Sequence, residues 1–303
     1  MCEDAQHTYL QAPQPPLESS DFRSKMTEKL GLILGDHYFT YLHLCIELLK
    51  SRSLRDQIAA IRFLGSCHVA IDPEVREHAD QFCAFLEGDD TLTASLATIP
   101  TCMMALRERS FLDELCGNVP LLDKLCSRLR QASDHLHSPD LQDAVHEGAY
   151  LPGQWRELDD MNFAPLMGEA LDEAGEGLIR PAGTWGVPLW SWVAAQALSL
   201  LACLADVLDV LGTLLTHNVL DVAMRLLELA EEGKALPLLV LHAARFLEKA
   251  VAHRRLACDF VDKDGLQLLW RMRQSSSAVL TDAQLSACLT TIAAHSQVSR
   301  YCL

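Results

Sequence analysis

Aromatic residues make up only 6 % of this 303-residue chain, while leucine and alanine abound. Sheets draw on aromatic and β-branched side chains, so this shortage argues against a β or mixed fold and in favour of closely packed helices. Basic residues are also scarce: 25 Lys and Arg stand against 41 Asp and Glu, for a formal charge of −16 and a pI near 5.1. A field of that sign repels phosphate backbones, so direct binding of nucleic acid is not expected. No Cys-x-x-Cys occurs, and Cys and His never reach the paired spacing of structural zinc, so neither metal nor cofactor is expected. GxSxG, Walker A, HExxH and GxGxxG are all missing, and the chain reads as a non-enzyme. Residues Met1–Pro16 contain Glu3 and Asp4 and no apolar core of a signal peptide. The expected location is therefore intracellular, cytoplasmic or nuclear.

What the chain does have is apolar mass. Half of its residues are hydrophobic, enough for a large core. Its 11 cysteines include Cys45, Cys67, Cys83, Cys203 and Cys288, which lie among apolar neighbours and read as small core residues in a reducing compartment. Residues 1–22, with Pro13, Pro15 and Pro16, read as a flexible tail.

A first helical block is expected over 23–130. Tyr38, Leu42, Cys45, Ile46 and Leu49 recur at helical spacing, and Ile58, Ile61, Phe63, Leu64 and Cys67 mark a second stripe opened by Ser53. Asp72-Pro73 starts a helix through Leu86, because Asp suits the cap and Pro the first turn. Another helix follows Asp89 or Asp90 to Leu106, with a kink expected at Pro100.

Residues 131–186 carry 11 acidic and two basic residues and are broken by four prolines, which marks an acidic insert or linker. Glu157, Asp159 and Asp160 within it read as a solvated run rather than a metal site. A second helical block spans 187–303, with helices over 188–215, 219–232, 236–253, 256–262, 266–273 and 282–295. The 19 uncharged residues Val187–Ala205 approach the length of a membrane span. The apolar pattern continues past Asp206 and Asp209 without flanking basic clusters, so a buried helix is expected and a membrane location is not. His135 and His137, two residues apart, point to different sides of a helix and do not form a ligand pair. Trp185, Trp190 and Trp192 could line a peptide groove, but beside a proline they read as the seal of the junction between the two helical blocks.

One local unit occurs twice. In 109–122 and again in 255–269, a basic residue ends one helix, a short apolar helix turns the corner, Asn or Gly follows, and a leucine-rich helix begins. Such a unit cannot bury its apolar face alone and must stack on neighbours, which predicts an all-α, armadillo/HEAT-like right-handed α-solenoid of stacked helical hairpins. Phe260-Val261 with Asp264-Gly265-Leu266-Gln267-Leu268-Leu269 carries the armadillo resemblance. Together with Ala257, Ser286-Ala287-Cys288-Leu289 and Cys302, the 236–303 stretch resembles the armadillo region of the Vpr-binding protein family. That resemblance implies a substrate-receptor role in a cullin-RING ubiquitin ligase. Virilizer, a helical scaffold of an RNA methyltransferase complex, is the second family with a similar look.

The function expected is thus a protein-binding scaffold or adaptor in a multiprotein complex, with a membrane-associated helical protein and an enzyme of unrecognised type as rivals. The partner surface is sought where the acidic field breaks: Arg245, Lys249, His253, Arg254 and Arg255, then Trp270 flanked by Arg271 and Arg273. Arg and Trp dominate protein interfaces, and such a cluster would suit an acidic or phosphorylated peptide.

Overall fold

The computed structural model describes residues 37–66, 72–139, 141, 185–235, 237–274 and 282–294. All regular structure among them is helical. The 1–22 tail, Cys67, His68, the body of the acidic segment at 142–184 and its carboxylates Glu157, Asp159 and Asp160 lie outside the described residues. The chain divides into two compact units, 1–114 and 115–303.

In the first unit, α1 (Tyr38–Leu49) buries Tyr38, Leu42, Cys45, Ile46 and Leu49, the stripe its spacing predicts. It packs on α2 (Leu54–Ser66), where Ser53 Oγ accepts the Asp56 amide at 3.4 Å, a loose cap. Ile58, Ile61 and Leu64 of α2 are buried, while Phe63 is half-buried.

Asp72 caps the next helix, its Oδ1 accepting the Glu74 amide at 3.0 Å, with Pro73 in the first turn. The expected single helix to Leu86 is nevertheless two: α3 (Pro73–Arg76) and α4 (Ala79–Glu87). Tertiary contacts account for what each piece does. Arg76 of α3 bonds Glu108 at 2.7 Å and lies 4.3 Å over the Phe111 ring, whereas α4 turns Phe82 and Leu86 inward against α5 (Thr91–Arg107).

Asp90 caps α5 through the Thr93 amide at 2.7 Å. Thirteen of its seventeen residues are buried, so α5 is a core helix on nearly every face. It runs on through Pro100. Its buried Ser95, Thr98 and Thr101 hydroxyls donate to carbonyls one turn back, which satisfies them without partners elsewhere. Helix α6 (Arg109–Gly117) spans the boundary at 114/115.

The second unit contains α7 (Val119–Leu136), α8 (Val187–Leu204), a 3₁₀ turn at Leu208–Val210, α9 (Leu211–Thr216), α10 (Val219–Glu231), α11 (Pro237–Ala250), α12 (Arg254–Asp262), α13 (Gly265–Gln274) and α14 (Asp282–Ala293). Helix α7 crosses position 131 and groups with the later helices. The helix expected to run to Leu215 ends at Leu204, where the chain turns through exposed Asp206. Fifteen of the eighteen residues of α8 are buried, because α7 and α11 pack against it. It is long and apolar enough to cross a membrane, but 83 % of it is already covered by the protein. Little apolar surface is left for lipid.

Pairings between helices fix their directions. Asp123 and Asp134 of α7 meet His217 and Arg225 in the same order along the chain, at 2.9 and 3.8 Å, so α7 and α10 are parallel. Asp221 pairs with Lys263, and Glu231 with Arg271 at 3.2 Å, so α10 and α13 are parallel as well. Helices α8 and α11 pack along their lengths with their C-terminal ends together: Lys249 reaches Asp206 at 3.8 Å and the His253 ring meets the Ala205 carbonyl at 2.6 Å. α14 packs on α11 and also touches α13, its buried Cys288 thiol 3.9 Å from the Ala244 carbonyl.

Local chemistry sets the corners. Gly233, at φ 74°, ends α10, and the Lys234 amide returns to the Leu229 carbonyl at 2.9 Å. Asn218 and Asp264 take the left-handed conformation, φ 50° and 59°, one residue before α10 and α13. Their short polar side chains tolerate that backbone better than most. This shared corner aligns α10 with α13 residue by residue.

Candidate interaction surface

The eight residues singled out from the sequence fall into two groups. Lys249 in the last turn of α11, with His253, Arg254 and Arg255 just beyond it, lies where α11 meets the end of α8. Arg271 is tied to Glu231 at the C-terminal end of α10. A five-residue connection joins α10 to α11, and so short a link makes neighbouring helices antiparallel. The end of α10 therefore lies near the start of α11, and the structure does not gather the two groups in one patch. Arg245 stands exposed midway along α11.

Lys249, His253 and Arg271 are held by contacts inside the unit. Lys249 pairs with Asp206, His253 with the Ala205 carbonyl and Arg271 with Glu231. Arg254 and Arg255 are exposed in the first turn of α12 and make no ion pair with a described residue. Trp270 is 59 % exposed, beside exposed Arg273 on α13. The inward face of α13 consists of Gly265, Leu268, Leu269 and Met272. Gly265 must be glycine for space, since a Cβ there would run into the Phe260 ring.

Several polar residues emerge only in three dimensions. His217 bonds Asp123, and its carbonyl accepts Arg130 at 2.6 Å. No sequence signal marks these residues, because their partners lie 87 to 94 positions away. An open concavity of about 440 Å³ on α7 is lined by Ser127, Arg130, Gln131, Asp134 and His135. His135 stacks on Trp190 with ring centroids 4.2 Å apart, and Asp134 faces Arg225.

His137 Nδ1 meets the Ser133 carbonyl at 2.7 Å, so His135 and His137 serve different neighbours. Trp185, Trp190 and Trp192 are all buried, the first two with ring centroids 5.1 Å apart. Burial is the main reason the Cys126 and Cys288 thiols are pushed up to about 12 and Cys83 to about 11, with neighbouring carboxylates adding to it. Such thiols stay neutral near pH 7 and are poor nucleophiles. Among the described residues, no group of three or more His, Cys, Asp or Glu is placed to hold a metal ion.

No curated protein and no solved structure matches the chain. Residues 190–300, which run from α8 through the last described helix, are similar to the Mahjong helical domain family.

Proposed function

We propose that this chain is a non-enzymatic scaffold or adaptor that binds other proteins through an armadillo/HEAT-like solenoid. The observation that carries the reading is the parallel, in-register run of α7, α10 and α13, joined at each step by cross-helix ion pairs. Helices stacked in this way build extended surfaces whose side chains are held at a regular repeat, the arrangement helical-repeat proteins use for binding. The similarity of residues 190–300 to a helical domain family fits the same reading.

Proximity labelling with the full chain in cells, followed by reciprocal purification, tests it. A recurrent set of proteins recovered in stoichiometric amounts is expected. Enrichment of no protein over the control would sink the reading. The narrower ligase-receptor role, implied by the resemblance of 236–303, requires cullin-RING subunits in that set, and their absence would remove it.

A further inference from the structure

In the second unit, three exposed arginines stand without a partner among the described residues: Arg245 on α11, and Arg254 and Arg255 in the first turn of α12. Every other lysine and arginine described there is engaged by a neighbour. In a chain of net charge −16, acids are in excess, and unanswered bases need a reason. Helix α6 supplies the comparison. Like α12 it is nine residues long, begins on an arginine and leads into a leucine-rich helix. There Arg109 is held at 3.1 Å by Asp113, one turn on. Buried Phe111 and Leu115 of α6 correspond to Leu256 and Phe260 of α12, so Cys258 stands where Asp113 answers the arginine. Asp259 follows Arg255 by one turn and makes no ion pair with it. Cations in a first turn also oppose the positive end of the helix dipole. The two arginines thus work against their own helix, and local choices that oppose folding collect at functional sites.

Arg245 extends the same positive edge. It lies one turn before Lys249 on the same face of α11, and Lys249 reaches Asp206 just past the end of α8. One turn earlier Arg245 meets no acid on that neighbour, because α8 has no charged residue along Val187–Leu204. Glu248 of α11 lies towards α14, where its charge acts on the Cys288 thiol. Asp209, exposed in the 3₁₀ turn after α8, makes no ion pair with any of the three. We propose that Arg245, Arg254 and Arg255 form a docking edge for an acidic, extended segment of a partner protein, whose Asp and Glu carboxylates take the guanidinium forks as partners. The three charges are spread over two helices rather than gathered at one point, which suits carboxylates spaced along a chain better than a single phosphate. Nucleic acid or an anionic membrane would also meet the negative field of the rest of the protein, whereas a short segment senses the charges within about 10 Å of it. The inference rests on the interaction-module reading above and names its surface and partner class.

The test uses the full chain and two labelled, unstructured peptides of equal length, one rich in Asp and Glu, the other with Asn and Gln in their place. Binding is read by fluorescence polarisation. The acidic peptide is expected to bind and the neutral one not, with affinity falling as salt rises. Arg254→Glu combined with Arg255→Glu should weaken binding by about tenfold or more, and adding Arg245→Glu should weaken it further. The same charge change at exposed Arg52 and Arg55 of the first unit, both to Glu, should leave binding unchanged. Thermal melting separates docking from structure. Glutamate in the first turn of α12 suits the helix dipole, so the Arg254→Glu, Arg255→Glu variant should melt no lower than the parent. A marked fall in its melting temperature, equal binding of the neutral peptide, no binding of the acidic one, or an equal loss from the Arg52 and Arg55 change overturns the proposal. Acidic-peptide binding that appears only after the acids of 142–184 are replaced by amides also overturns it, and gives the edge to the chain's own acidic segment. If the peptide fails while proximity labelling still recovers partners, only this surface is lost; if no partner is recovered, the module reading itself falls.

Discussion

The two units hold their helices together by different means. In the first, Arg76 serves Glu108, Glu114 and the Phe111 ring and the Tyr38 hydroxyl donates to Asp72, while on the central helix α5 the Ser95, Thr98 and Thr101 hydroxyls donate to carbonyls of the same helix. In the second, ion pairs recur at successive joints along α7, α10 and α13. Apolar burial supplies most of the stability in both, because exposed ion pairs contribute about 0.2–1 kcal/mol each. What the recurring pairs add is register. Parallel helices with leucine-rich faces could slide by a turn at small cost, and polar pairings at two points along each joint, one of them through His217, favour one alignment.

The largest effect expected from this contrast lies in the cores. Trp190→Ala, which removes a 1 % exposed ring stacked on His135, and Phe82→Ala, which empties a fully buried site under α5, should each cost about 3–5 kcal/mol. If the units unfold separately, denaturant titration should show each variant shifting a different transition. A single transition shifted equally by both would erase the distinction between units.

Next comes Gly265→Ala. Its Cβ has no room beside Phe260, so a loss of about 1–3 kcal/mol is expected, even though alanine ordinarily favours a helix. A melting temperature equal to that of the parent would mean the corner adjusts freely. A smaller effect should come from the Asp134–Arg225 pair. A double-mutant cycle with alanine should give a coupling of about 0.2–1 kcal/mol that shrinks as salt is raised. Coupling indifferent to salt would point to packing of the side-chain stems instead.

The smallest effect concerns alkaline pH. Cys126 and Cys288 titrate at about 12 and Cys83 at about 11 in the folded protein, against an ordinary value of 9.0. A thiol raised in the folded state stabilises fully below the unfolded value and loses that contribution as pH climbs. Stability should therefore decline from about pH 9 towards 12, and replacing the three by serine should flatten that part of the urea-midpoint profile. A profile unchanged by the replacement would show that other groups cause the decline.

Much of the helical plan was legible in residue order alone. The α1 stripe from Tyr38 to Leu49, the caps at Asp72 and Asp90, and the starts of α10 and α14 follow from spacing and capping chemistry, which act within a few residues. The break between α3 and α4 was not legible, since no glycine or proline marks it and the two pieces face different neighbours. Nor was the dispersal of the basic residues. Lys249 and Arg271 look like one cluster when read along the chain, yet their partners Asp206 and Glu231 lie 43 and 40 positions away, at different helix ends.

Residue order alone carries the helical character of the described segments, the start of most helices and the apolar face of each, because periodicity and caps are short-range properties. Only the tertiary structure decided that α7, α10 and α13 run parallel, that Lys249 and Arg271 pair with Asp206 and Glu231, and that Trp270 stays outside while its counterpart Met224 is covered. Which helix covers which flank depends on contacts between residues far apart in the chain, and residue order does not contain those distances.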